Sequence, residues 1–208
     1  MGNRVGPIDF DNISISPQYR VVDWVTARDS NPFDWVLATN IFFDRINGRF
    51  LKPIDLISSD KTINEFCGFS TMAIDCLLVE TLYQFYNGID ETSGRHDMAF
   101  WKFFRESDFF KTEFIRRKAF IFYGHFRCGI LHQAQTKNKS IIRINRDKMI
   151  EYVNPADPSS GLVVDRKRFH KAITDEISSY IDKLKSTAPE NKNIQNNFIK
   201  KMNYICGS

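Results

Sequence analysis

The chain has 208 residues, of which 42 % are hydrophobic and 14 % aromatic, so it can bury a sizeable core as one domain or two small ones. Charged residues, at 26 %, are ordinary for a folded protein and argue against wholesale disorder. The net charge of +4 is modest, which excludes a strongly basic protein that binds polyanions nonspecifically over its whole surface.

The four cysteines predict a reducing compartment, because none forms a Cys-x-x-Cys pair and their spacing matches no zinc template. The N-terminus has no basic segment followed by an apolar one, and no apolar run is long enough to cross a bilayer. We therefore expect a cytoplasmic protein with free thiols and no membrane contact. The cysteines are Cys67, Cys76, Cys128 and Cys206.

The first half of the chain predicts an arm followed by helices. Glycines and prolines without apolar periodicity indicate an irregular arm over residues 1–30, and a single domain then spans 31–206. A helix can start at residues 30–32, where a capping side chain precedes proline. We expect Asn47-Gly48 to weaken the end of this helix and Pro53 to force a break or a restart.

The clearest helix is predicted over residues 67–87, where apolar residues recur three and four apart before Asn-Gly ends the pattern. A polar loop over 88–95 separates it from a helix over 96–106. The next helix is expected from Lys111 to His132 and is rich in aromatic residues.

The remaining pattern predicts a small β-hairpin insertion, at about 138–165, in which residues 140–145 pair with 162–164. Two amphipathic helices are expected after it, over 166–185 and about 190–205. The predicted fold class is therefore mainly α, a helical bundle with a β-hairpin insertion.

Basic residues are concentrated in one part of the chain. Residues 116–148 contain nine lysines and arginines but a single acid, Asp147. Such a stretch in a near-neutral protein is typical of a polyanion site, although a solvated basic face gives the same pattern. The expected polyanion contacts are Arg116, Arg117, Lys118, Lys137, Lys139 and Arg143.

The segment 126–133, Phe-Arg-Cys-Gly-Ile-Leu-His-Gln, carries a family resemblance. Arg127 and His132 match the R-x4–6-H motif of HEPN domains. Leu-Leu-Val-Glu-Thr-Leu at 77–82 and the helix at 197–202 resemble the surroundings of that motif in bacterial HEPN-like proteins. The resemblance covers roughly residues 65–206.

The resemblance implies a HEPN-type helical bundle that cuts RNA without a metal ion or cofactor. It implies a role in toxin–antitoxin systems, phage defence or RNA processing. The expected partners are RNA, a second copy that shares the cleft, and an antitoxin or defence-system protein. We expect the dimer to use the helix at 111–132, because aromatic residues are in excess over 114–126.

The two motif residues suit RNA cleavage, because RNA carries its own nucleophile, the 2′-OH. Histidine can move that proton near neutral pH, and arginine can hold the phosphate oxygens. Glu80 is the third candidate catalytic residue, since its helical neighbours are mostly apolar and its carboxylate needs a partner, Arg127 or His132.

Each candidate residue also has a structural interpretation. Arg127 can pair with a surface acid, His132 can simply favour a helix C-terminus, and Glu80 can bridge to another helix. Residues five apart on a regular helix lie ~140° around its axis, so Arg127 and His132 converge only if the helix end is irregular or the arginine wraps round. A dimer cleft would relax that requirement.

Three alternatives remain open from the sequence. The first is a catalytically silent HEPN domain that binds RNA or nucleotide or scaffolds a larger complex. The second is a structural helical partner protein. The third is a metal trio of His125, Cys128 and His132, which lacks a fourth ligand. Ala134 stands where nucleotidyltransferase-silenced toxins have tyrosine, which argues against that form of control.

Overall fold

The computed structural model describes residues 9–207, and it is mainly helical with one small sheet, as predicted. The helices are α1 (Val21–Asp29), α2 (Trp35–Ile46), α3 (Lys52–Ser59), α4 (Gly68–Asn87), α5 (His96–Glu106), α6 (Arg116–Phe122), α7 (Cys128–Gln133), α8 (Arg166–Lys185) and α9 (Lys192–Cys206). The strands are β1 (Ile141–Arg143), β2 (Ile150–Tyr152) and β3 (Leu162–Asp165).

Helix α4 lies at the centre of the bundle and packs against α5, α7, α8, α9 and β1. Most of its apolar residues are buried, although Phe69 and Leu77 are exposed, and Gly88 ends the helix in the left-handed conformation that the sequence predicts. The predicted bounds of α4, α5 and α8 agree with the structure to within a residue, because each has a strong helical period of its own.

Aromatic side chains form most of the core and join the helices in two groups. One group connects α1, α2, α4, α8 and α9 through edge-to-face contacts, which are favourable for aromatic rings. It contains Trp24, Phe42, Phe85, Tyr180 and Phe198. The other connects α5, α6 and α8 and contains Phe100, Phe104, Phe110, Phe114, Phe122, Phe126 and Phe169.

The expectation of an irregular arm over residues 1–30 is wrong for its last third. Residues 1–8 lie outside the described part, and 9–20 are largely irregular, but Val21–Asp29 form α1. Local periodicity does not predict this helix, because its five apolar residues form no single apolar stripe, and tertiary packing stabilises it. The segment before α1 packs on the body of the fold, since the Ser16 hydroxyl donates a hydrogen bond to Asp44 at 2.6 Å.

Two predicted helix boundaries are also wrong. No break occurs at Asn47-Gly48, because a π-turn, Asn47–Leu51, joins α2 to α3 without interruption. Near Pro53 the expected restart is seen, since α3 begins at Lys52. Pro53 is tolerated because it occupies the first turn of α3. The helix predicted from Lys111 begins at Arg116, and a second π-turn, Tyr123–Arg127, joins α6 to α7.

The predicted β-hairpin insertion is wrong in its pairing. Strand β3 is central, with β1 parallel on one side and β2 antiparallel on the other. Ile141 pairs with Val163, so the two predicted strands do meet, but in the same direction. The unexpected strand β2 lies between them in the chain and supplies the antiparallel partner of β3.

Three of the five aromatic residues on which the predicted dimer face rested are buried. Phe114 and Phe122 pack against Phe104 and Phe169, and Phe126 stacks on Phe122. These three belong to the core of this chain, so only Phe120 and Tyr123, which are partly exposed, remain of that face. Of the helices in residues 9–207, none is both long and apolar enough to span a membrane.

We predict that α1 is an integral part of the fold. Trp24 is fully buried and its indole N–H donates to Asn203 at 2.9 Å. Trp24→Ala should therefore lower the free energy of unfolding by about 3–5 kcal/mol in a denaturant titration. Val22→Ala, on the exposed side of α1, should cost less than about 0.5 kcal/mol. Equal effects of the two variants would show that α1 packs only loosely.

Candidate functional site

The Glu80 carboxylate on α4 connects two of the side chains around it. His96 Nδ1, at the start of α5, lies 2.9 Å from Oε1, and the Arg127 guanidinium lies 3.4 Å from Oε2. The side chains of Glu80 and Arg127 are 18 % and 20 % exposed, so this group lies at the edge of the protein surface. The expected contact between Glu80 and Arg127 is confirmed, and His96 is an additional member.

Arg127 is the last residue of the Tyr123–Arg127 π-turn, a distortion that is often found at functional sites. Its guanidinium lies over the ring of Tyr123, 5.6 Å from the centroid, which is within cation–π range. Burial, reinforced by a hydrogen bond to Cys128, raises the pKa of Tyr123 to about 12. Tyr123 is therefore a neutral phenol at physiological pH.

The loop after α7 fixes the π-turn. The carbonyl of His125 accepts a hydrogen bond from the backbone N–H of Lys137 at 3.0 Å. The His125 ring contacts Ser140 and Asn138, at 2.8 and 3.1 Å, and burial lowers its pKa. These contacts make His125 a structural residue and leave the metal trio with His132 without support.

Gly129 allows this loop to fold back onto α7. A Cβ atom at this position would lie 2.5 Å from the carbonyl oxygen of Gln135, a distance that side chains do not reach. The glycine in the motif string is therefore required for close approach of the backbone. Its position fixes where α7 ends, and so where His132 lies.

His132 is exposed, one residue before the end of α7, and is not part of the group around Glu80. The two oxygens of Glu80 contact His96 and Arg127 instead. The helix between Arg127 and His132 is regular, so the expected irregularity comes only after His132, where Ala134 is left-handed. Within one chain, the structure brings Arg127 to Glu80 but does not bring His132 to either residue.

The predicted polyanion contacts fall into two sets. Arg116, Arg117, Lys139 and Arg143 are exposed, and Lys137 is partly so. Lys118 differs, because its ammonium donates to the carbonyls of Glu113 and Ile150 at 3.2 and 3.1 Å. Burial lowers its pKa, and the side chain holds α6 against β2. Lys118 therefore has a structural task, whereas the other five side chains can reach a ligand.

Sequence reasoning missed His96 and the role of Tyr123. Tyr123 lies in an aromatic-rich stretch, where its residue type alone does not distinguish it from its neighbours. His96 begins α5 after a polar loop, and nothing in its local pattern connects it to Glu80, sixteen residues earlier. A usable signal existed, since two helices joined by an eight-residue loop pack antiparallel and bring the start of α5 alongside the second half of α4.

A second imidazole–carboxylate pair involves the opposite side of α4. Asp75 is fully buried and lies 2.7 Å from Nδ1 of His170 on α8, while Asp55 on α3 lies 3.8 Å from Nε2. Burial opposes protonation of His170, but the hydrogen bond to Asp75 and the two carboxylate charges outweigh it and raise its pKa. Burial raises the pKa of the Asp75 carboxyl. The contacts of His170 with Asp75 and Asp55 join α8 to α4 and α3.

Comparison with protein-family models, curated proteins and solved structures found no match to this chain. Between residues 9 and 207, no three His, Cys, Asp or Glu side chains are grouped so that they could hold a metal ion. The functional interpretation therefore rests on the geometry around Arg127 and on the motif in which it lies.

We predict that the His170 pair makes stability depend on pH. Because the folded-state pKa is raised above 6.5, its stabilisation is fully present below that value and is lost as pH rises through the folded-state pKa. The free energy of unfolding should fall over this range in the wild type and fall less in His170→Gln. His132→Gln, at an exposed ring, is the matched control. An unchanged pH slope in His170→Gln would contradict the assignment.

Proposed function

We propose that this chain is a HEPN-type endoribonuclease that cuts RNA through attack of the 2′-OH on the adjacent phosphorus, without a metal ion. The observation that carries the proposal is the placement of Arg127 at the protein surface, held by Glu80 and Tyr123. Phage defence or a toxin–antitoxin pair in the cytoplasm is the setting that the motif resemblance suggests.

Arg127 is suited to hold the scissile phosphate. Only one of its terminal nitrogens contacts Glu80, and at 3.4 Å that contact is long, so the other N–H groups remain available to phosphate oxygens. A guanidinium can bind two of these oxygens at once and stabilise the charge that builds in the transition state. Glu80 acts as a positioning residue that fixes the direction of the guanidinium.

His132 is the residue that we assign to the 2′-OH. Its ring is exposed, and histidine is the side chain that enzymes use most often as a general base. Because Glu80 holds Arg127 away from His132, the two residues can act on one phosphate if a second copy of the chain supplies one of them. A second candidate function is that of a silent domain, which binds RNA without cutting it. The ion pair between Glu80 and Arg127 favours this function equally.

The first prediction about RNA concerns the products of cleavage. Because the 2′-oxygen is the nucleophile, one product should end in a 2′,3′-cyclic phosphate and the other should begin with a free 5′-OH. A single deoxyribose at the cut site should abolish cleavage but leave binding nearly unchanged. Chelators should have little effect. Mass spectrometry of the products decides this, and a 5′-phosphate product would refute the mechanism.

Two variants test the residues in the same assay. His132→Ala should reduce cleavage by about 10²–10⁴-fold while the melting temperature stays close to that of the wild type. Arg127→Lys should also be strongly impaired, because an ammonium cannot bind two phosphate oxygens side by side. RNA binding by the wild type without any cleavage would favour the silent domain instead.

We also predict that exposed basic residues of the 116–148 stretch bind the phosphate backbone. Each contact with single-stranded RNA releases counterions, so the logarithm of the binding constant should fall with the logarithm of salt concentration. Arg117→Gln should reduce that slope by about 0.7, whereas Lys192→Gln on α9 should not change it. Lys118→Gln should lower stability rather than the slope. A salt-independent affinity would remove the proposal.

We further propose a homodimer that shares the site between two copies. Two exposed apolar residues suit such an interface: Leu131, which lies within the motif on α7, and Leu77 on α4, a helix that packs against α7. Leu131→Glu should therefore convert the dimer to a monomer in light scattering, and Val36→Glu on α2 should not. A wild-type mass of 24.3 kDa at micromolar concentration would contradict the dimer.

A further inference from the structure

Cleavage of RNA by its 2′-OH requires two proton transfers, and the sequence motif supplies only one imidazole. As the bond between the 2′-oxygen and phosphorus forms, the 2′-OH proton must be removed. As the bond between phosphorus and the 5′-oxygen breaks, the departing oxygen must receive a proton. Efficient catalysis assigns a positioned group to each transfer.

Two of the other histidines are committed elsewhere. Both ring nitrogens of His125 contact the loop after α7. His170 is held by Asp75, and its Nε2 faces Asp55. Asp75 and Glu80 are five residues apart on α4, which places them ~140° apart around its axis, so the His170 pair belongs to a different side of that helix.

His96 has the environment of a proton-transfer residue. Its Nδ1 lies 2.9 Å from Glu80, and because a carboxylate accepts hydrogen bonds, Nδ1 carries the proton. No described residue is a partner of Nε2, and the side chain is 29 % exposed. A carboxylate that orients one ring nitrogen while the other faces outward is the arrangement found in enzymes that use histidine as an acid or base.

Glu80 places this imidazole beside the phosphate-binding residue. One of its oxygens contacts His96 and the other contacts Arg127. A phosphate held by the guanidinium would therefore lie close to the open nitrogen of His96. The juxtaposition comes from three separate parts of the chain: the middle of α4, the start of α5 and the end of the Tyr123–Arg127 π-turn.

We propose that His96 is the general acid of this site, which protonates the departing 5′-oxygen while His132, supplied by the second copy in the proposed dimer, accepts the 2′-OH proton. The inference rests on the proposed ribonuclease function. In the balanced step, the 2′-oxygen loses its proton to His132 and bonds to phosphorus. The 5′-oxygen leaves phosphorus and takes the proton from Nε2 of His96, and the two rings exchange their protons with water afterwards.

The test compares two substrates that differ at one atom. The first is a short RNA with a mapped cleavage site, and the second carries sulfur in place of the bridging 5′-oxygen there. A thiolate leaves without being protonated, so a variant that lacks only the general acid should recover activity on the sulfur substrate. His96→Gln should lose about 10²–10⁴-fold on the natural RNA and less than about 10-fold on the sulfur substrate.

The pH dependence gives an independent readout. An acid and a base together produce a bell-shaped profile, and loss of the acid should remove its alkaline limb in His96→Gln. His132→Gln should instead remove the acidic limb and gain nothing from sulfur. His170→Gln, the imidazole of the other pair, should keep the wild-type profile on both substrates. Melting curves confirm that each variant is folded.

The outcomes separate this inference from the function on which it rests. If the wild type cuts RNA and His96→Gln loses less than threefold, His96 is not the general acid. Equal losses on both substrates would reduce it to a positioning residue and likewise overturn the proposal. If the wild type cuts neither substrate, the ribonuclease function fails, and this inference fails with it.

Discussion

The burial of α4 is the constraint on which the rest of the structure depends. Because this helix is covered by α5, α7, α8 and α9, every polar side chain it carries into the interior must find a partner. Asp75 pairs with His170, Glu80 pairs with Arg127 and His96, and Tyr86 donates to the buried Glu176 at 2.6 Å. These contacts fix the orientation of the neighbouring helices around α4.

The candidate site is a consequence of this arrangement. Glu80 is at the margin of the buried surface, so its partners are held firmly but remain open to a ligand on one side. The Tyr123–Arg127 π-turn turns Arg127 toward Glu80, and the loop at 134–140 secures that turn through His125. A guanidinium held in this way loses less freedom when it binds a phosphate than one on a mobile surface side chain.

The small sheet anchors the loop that secures the Tyr123–Arg127 π-turn. Ser140 accepts a hydrogen bond from the backbone of Leu162 and contacts His125, so the loop that secures the π-turn is itself attached to β3. Lys118 ties α6 to β2 in the same region. The basic stretch therefore contains both a lysine that holds the fold together and basic side chains that are exposed. A count of charges in the sequence cannot distinguish the two kinds.

The sequence by itself determined the helices α4, α5 and α8, because helical periodicity and caps are local properties, and it identified Glu80 as a carboxylate that needs a partner. The tertiary structure alone decided the rest. Helix α1 forms because Trp24 is buried in the core. Strands β1 and β3 run parallel because β2 occupies the antiparallel edge of β3. Asn47-Gly48 stays helical through a π-turn. His96 joins Glu80 for the same reason: contacts between segments far apart in the chain depend on packing, which no local pattern records.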